Sequence, residues 1–189
     1  IEFLNWDYKL DEETFFKEIF RIMPNHCLIY RNKELETPKY ELSKDILTIG
    51  KSKNYEESFK KILYESIVNT VNYDKRIGVM MSGGLDSSAI AIALKENNFT
   101  NVSTYSANFS HIIDNKNLDE TIYQKNISNL TGFNHSFIQM ENKSPIKAVQ
   151  KFTKIFNKPI LFPNIYLFEE IIGRLKKDEI EIILDGSDG

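Results

Sequence analysis

The sequence predicts an α/β protein, a parallel sheet with helices on both faces, preceded by a small α+β segment. Three observations carry that prediction. From Tyr55 onward, short apolar runs alternate regularly with helical patterns, the order that builds a parallel sheet. The run Ile77–Met81 ends in "SGGLDSS" (Ser82 to Ser88), which opens at once into an alanine-rich helix. A later run, Glu181–Leu184, also ends in small and acidic residues, "DGSDG".

In chain order, "DEETFFKEIFRIM" places Phe15, Phe16, Ile19, Phe20 and Met23 at helical spacing, so a helix is expected over Asp11–Met23 with Asp11 as its cap. Pro24-Asn25 stops it, and "HCLIYRNKELE" reads as a hairpin turning at Asn32-Lys33. The mixed polar stretch Thr37–Asn54 reads as a linker. A helix follows over Tyr55–Val71, with Asn54 and Glu57 spaced like a capping box. Strand Ile77–Met81 leads to helix Ser87–Glu96, and strand Val102–Phe109 to helix Leu118–Leu130. Strand Ser136–Gln139 precedes helix Pro145–Phe156. Asn164 caps helix Ile165–Lys177, and strand Glu181–Leu184 comes last.

Composition narrows the class. The 189 residues are 41% hydrophobic and 12% aromatic, enough for a core. A net charge of −3 without long single-sign runs supplies no basic face, which argues against a nucleic-acid partner. A single cysteine, Cys27, permits no internal disulfide and no cysteine-based zinc site, and its place in the hairpin reads as structural. No apolar run is long enough for a membrane helix and none resembles a signal peptide, so a cytoplasmic protein is expected. The chain starts at Ile1 and stops just after an apolar run, which suggests a piece of a longer protein.

The chemistry sits in "SGGLDSS". Gly83 and Gly84 let the backbone approach a ligand and adopt positive φ. Successive N–H groups entering a helix N-terminus make an anion nest reinforced by the helix dipole. Ser82, Ser87 and Ser88 add hydroxyl donors. Asp86 would repel a phosphate unless it holds Mg²⁺, which phosphates and carboxylates share. The lysine of a P-loop is absent, and so is the G-x-G-x-x-G of dinucleotide folds. Two glycines alone could be an ordinary tight turn; all seven residues at a strand end in a βα series point to a pyrophosphate cradle.

"SGGLDSS" resembles the signature of the ATP pyrophosphatases, and its leucine and flanking sequence are similar to the asparagine synthetase family. "FKEIFRIMPNHCLIYRNKELETPKY" (Phe16 to Tyr40) resembles the segment that closes that family's glutaminase domain, with Ile19, Arg21, Pro24, His26 and Tyr40 matching. Asn25 replaces a glycine, and Glu41 stands where a tryptophan is usual. "LDETIYQKNISNLTGFNH" resembles the helix after the second strand, ending at His135, and "IEIILDGSDG" a later loop of the family.

The resemblance implies an adenine-nucleotide α-hydrolase-like fold with three parts: a glutaminase-like remnant over 1–40, a linker over 41–54, and the beginning of a synthetase domain over 55–189. It implies cleavage of ATP between the α- and β-phosphates, adenylation of a carboxylate, release of pyrophosphate, and attack by an amine or ammonia. The cofactors implied are ATP and Mg²⁺. Residues Ser82, Gly83, Gly84, Leu85, Asp86, Ser87 and Ser88 would hold the phosphates, with Asp86 on the metal. Met80, Met81 and Ala107 would contact adenosine, and Asp185-Gly186 would approach it from the far side; core packing is the alternative for the two methionines.

The second loop aligns in two ways. In one, Gly186 is the family's first glycine and Ser187 stands at its catalytic glutamate; in the other, Asp185 replaces that glutamate and Asp188 binds metal. The first keeps the strand end in register and is preferred, although Asp188 stays a candidate catalytic residue beside Asp86. Either way the glutamate is missing, which suggests a relative acting on another carboxylate or amine. Asp185 also reads as a plain turn acid. Glutaminase activity would lie upstream or in trans, and assembly into a homo-oligomer is left open. The competing readings are another ATP pyrophosphatase, peptide- or lactam-forming, and a degenerate domain that binds nucleotide without turnover.

Overall fold

The computed structural model describes residues 12–40, 54–109, 120–140, 144–160, 162 and 164–187. The chain divides into two compact units, Ile1–Lys53 and Asn54–Gly189.

In the first unit, β1 (Ile29–Arg31) pairs antiparallel with β2 (Glu34–Glu36). Asn32 and Lys33 both take positive φ, 54° and 68°, as a tight hairpin turn with the right twist requires. Asn25 adopts φ 61°, so it fills a left-handed position that asparagine tolerates. His26 bridges to Lys39, and its Nδ1 lies 3.0 Å from the Pro24 carbonyl oxygen, a packing role.

The expected helix over Asp11–Met23 does not form across its described residues. The Thr14 hydroxyl accepts the Phe16 N–H at 3.1 Å and donates to the Ile19 carbonyl at 2.6 Å. The Arg21 N–H bonds Glu12 O at 2.8 Å, and Glu18 takes φ 64°. Phe15, Phe16, Ile19 and Phe20 stay exposed. Helical periodicity stabilises a short helix only when its apolar face is covered, and here the threonine offers the backbone a local alternative. The expected Asp11 cap lies outside the described residues, as does most of the linker.

The second unit follows the expected alternation: α1 (Tyr55–Thr70), β3 (Ile77–Met80), α2 (Leu85–Glu96), β4 (Val102–Asn108), α3 (Thr121–Thr131), β5 (Asn134–Gln139), α4 (Pro145–Phe156), α5 (Ile165–Lys177) and β6 (Ile182–Leu184). The Asn54 side chain accepts the Glu57 N–H at 3.3 Å and donates to its carboxylate at 2.6 Å, which caps α1. Element ends move by a few residues; α2 starts at Leu85 rather than Ser87, and α3 runs from Thr121, the expected start at Leu118 lying outside the described residues.

The four strands are parallel in the order β5-β4-β3-β6. Alternation along β3 and β4 divides the core into two layers. Ile77, Val79 and Val102 face one way, with Leu94 of α2, Phe99 and Phe133, and Ile67 and Val68 of α1 packed against them. Tyr105 faces the other way, against Ile171 and Leu175 of α5 and Met140. Helices therefore cover both faces. Gly78 lets α5 close on the sheet, since a Cβ there would meet Leu175 Cδ2 at 2.6 Å.

His135 on β5 is bonded to the Thr104 hydroxyl through Nδ1 at 2.7 Å, and its buried Nε2 meets no partner among the described residues. Burial lowers its pKa from 6.5 to about 4. The folded state thus binds fewer protons than the unfolded chain between those values, so stability is full above pH 6.5 and falls as pH drops toward 4. With partial exposure allowed for, the loss is expected to be about 1–2 kcal/mol. Urea midpoints at pH 7 and pH 4.5 check this, and His135→Gln should remove part of the difference.

Candidate functional site

The strand order reverses beside β3. The chain moves from β3 to β4 to β5 on one side, and β6 then joins the opposite edge of β3, with Val79 level with Leu184. The carboxyl ends of β3 and β6 are neighbours, and ligands of open parallel sheets bind at such a switch point. "SGGLDSS" leaves one of these strands and Asp185-Gly186-Ser187 leaves the other. The two loops touch: a Cβ on Gly186 would lie 2.7 Å from Ser87 N and 3.0 Å from Asp86 Cβ.

The first loop is held from inside. Gly83 takes φ 93° and packs on the first turn of α3, where a Cβ would meet Tyr123 Cβ at 3.1 Å. The Gly84 N–H bonds Ser82 Oγ at 3.1 Å, and Ser82 Oγ lies 3.1 Å from Ser87 Oγ. The Ser88 hydroxyl donates to Gly84 O at 2.6 Å. Gly84 is the N-cap of α2, so the helix begins at the loop. The N–H groups of Leu85, Asp86 and Ser87 have no acceptor within the helix and present the positive end of its dipole. In the second loop Asp185 Oδ1 accepts the Ser187 N–H at 2.9 Å, the turn-acid role.

A cavity of about 270 Å³ opens between the loops. Of the residues singled out in the sequence, Met80, Met81, Ser82, Gly84, Asp86, Ser87, Ala107, Asp185 and Gly186 line it. Three others lie away from it: Gly83 backs onto α3, Ser88 is buried against Gly84 O, and the Leu85 side chain points to solvent, 89% exposed. Asp188 lies outside the described residues. Met81 is nearly fully buried, so it serves the core as well as the wall.

Sequence reasoning missed the wall supplied by α5 and β4: Asn164, Leu167, Phe168, Ile171 and Tyr105. Leu167 and Ile171 stand one helical turn apart, a spacing visible in the sequence but identical to that of any core-facing helix. Ser187 also lines the cavity. One end is therefore polar, with serines, an aspartate and a helix N-terminus, and the other apolar and aromatic. Burial, together with a hydrogen bond to Asp178 Oδ2 at 3.0 Å, raises the Tyr105 pKa to about 12. Tyr105 stays protonated at neutral pH and contributes a ring rather than a base. Among the described residues no cluster of three or more metal-ligating side chains occurs, and no helix is long and apolar enough to cross a membrane.

The chain resembles known proteins. It is 26% identical over 183 residues to a putative asparagine synthetase [glutamine-hydrolyzing] 2 of Methanocaldococcus jannaschii, a match covering 93% of this chain and 34% of that protein. An 89-residue stretch is 30% identical to the amidase chyE of Penicillium rubens, covering 44% of this chain and 13% of that protein. The chain thus spans about a third or less of the length of these relatives. Among solved structures, the NH3-dependent NAD synthetase of Campylobacter jejuni aligns at 15% identity and a TM-score of 0.43, covering 69% of this chain and 54% of that one. The asparagine synthase family model matches residues 58–189, from α1 through both loops. This chain belongs to the asparagine synthase family.

Proposed function

We propose that the chain is the nucleotide-handling core of an AMP-forming carbon–nitrogen ligase of asparagine-synthetase type. The observation that carries this reading is the meeting of the two loops at the switch point, with Gly186 against Ser87 over a half-polar, half-apolar cavity. The orphan N–H groups at the start of α2, with the Ser82 and Ser87 hydroxyls, suit the β- and γ-phosphates of ATP. Met80, Ala107, Leu167 and Phe168 suit the base. A substrate carboxylate oxygen attacks the α-phosphorus in line, pyrophosphate leaves, and an amine then attacks the acyl carbon and displaces AMP. The protein's contribution is chiefly positioning and charge neutralisation.

Mg²⁺ fits the residues present. It is commonly bound through one or two carboxylates plus phosphates rather than by an all-protein cage, so Asp86 and Asp185, which line the cavity from the two loops, are an adequate donor set. When bound it neutralises charge on the phosphates.

The other parts follow the same reading. Residues 1–40 close a glutaminase-like domain, supported by the hairpin and by Asn25 in its left-handed conformation. A glutaminase upstream or in trans would supply ammonia, in a cytoplasmic enzyme that could assemble with copies of itself. Ser187 at the position of the family's glutamate favours an acceptor or amine other than those of asparagine synthesis.

The test is release of pyrophosphate from Mg-ATP by the complete gene product, with orthophosphate followed in parallel, across a panel of amino acids with and without ammonia. Pyrophosphate that appears only with a carboxylate substrate is the expected result. Tight ATP binding with no pyrophosphate under any condition would replace this reading with a nucleotide-binding domain that has lost turnover.

A further inference from the structure

Gln124 is a long polar side chain on α3, only 4% exposed and outside the cavity wall. Its Nε2 donates to the carbonyl of Ser82 at 3.0 Å, while its Oε1 is buried with no partner among the described residues. A buried amide left half-satisfied costs stability, and an apolar side chain in its place would avoid that cost. What the glutamine does instead is hold a backbone group at the corner where β3 becomes the loop.

That corner is tied at three successive main-chain points. The Met81 N–H bonds Tyr105 O at 2.8 Å, the Ser106 hydroxyl donates to Met81 O, and Gln124 takes Ser82 O. The first two ties come from β4, inside the sheet. The third comes from α3, where Gly83 packs against Tyr123 and against Gln124 itself, with a hypothetical Cβ 3.3 Å from Gln124 Cγ. Ser82 is the last residue before the glycines, and its peptide plane sets the direction in which the following N–H groups point.

We propose that Gln124 is a positioning residue for the phosphate loop: by fixing the Ser82 carbonyl from α3, it aims the loop's N–H groups at the terminal phosphates of the nucleotide. The inference rests on the nucleotide reading above and adds α3 to the machinery of the site. It acts through Ser82 and touches no ligand.

The test is calorimetric binding of two probes, magnesium pyrophosphate and AMP, to the complete gene product and to Gln124→Met, with thermal midpoints measured alongside. Loss of one aimed hydrogen bond is expected to weaken pyrophosphate about five- to tenfold, with AMP changed by less than about twofold and the midpoint little altered. Equal weakening of both probes, or none, overturns the proposal. If Gln124→Met does not fold, Gln124→Leu, which is smaller and likewise offers Ser82 O no donor, must show the same split. A wild-type protein that binds neither probe overturns the nucleotide reading, and this proposal with it.

Discussion

Replacing Asp86 by alanine is expected to lower pyrophosphate release from Mg-ATP by at least about a hundredfold while AMP binding is retained. Asp86 lies in the first turn of α2 and lines the cavity beside Ser87 and Gly186. An acid there would repel the phosphates that the neighbouring N–H groups attract, unless a divalent cation stands between them. The variant therefore separates the two roles of the site. The anion nest and the apolar wall remain, so the base and α-phosphate still bind, but the charge on the leaving pyrophosphate goes uncompensated. An acid in the first helical turn contributes only about 0.3–1 kcal/mol through the dipole, so the fold should survive. Asp86→Asn, which keeps the shape and loses the charge, should behave alike. Wild-type rates in either variant would remove Asp86 from the metal.

Gly186→Ala is expected to weaken Mg-ATP binding more than about tenfold and to cost about 1–3 kcal/mol of stability. The added Cβ would stand 2.7 Å from Ser87 N and 3.2 Å from Asp86 C. Both are backbone atoms at the start of a helix and cannot swing aside as the end of a flexible side chain can. The second loop must retreat, and the crevice between the loops changes width. Gly173→Ala is the control: it lies within α5, a Cβ there meets nothing within 4 Å, and helix propensity favours alanine. Urea midpoints and ATP titrations of the two variants should diverge. An unchanged ATP affinity in Gly186→Ala would mean that the contact between the loops does not shape the site.

Much of this was legible from residue order. The βα alternation after Tyr55 produced the parallel sheet because apolar runs of strand length can be buried on both faces only with helices on each side. "SGGLDSS" carried its own geometry: Gly83 takes the positive φ that glycine permits, and the chain beyond Gly84 enters a helix. The helix expected over Asp11–Met23 failed for the opposite reason. Its periodicity was sound, but Phe15, Phe16, Ile19 and Phe20 remain exposed among the described residues, and periodicity records a face without recording what packs on it.

The site divides along the same line. The sequence by itself determined the chemistry of each loop, because backbone freedom, hydroxyl donors and a lone acid are properties of consecutive residues. Only the tertiary structure decided that β6 pairs with β3, that Gly186 meets Ser87 across the crevice, and that Leu167, Phe168 and Tyr105 close the cavity. It alone placed Gln124 behind Ser82. The β3–β6 pairing joins residues 105 positions apart and the Gln124–Ser82 bond residues 42 apart, and both depend on which strands become neighbours, a choice made by the packing of the whole sheet rather than by any local run.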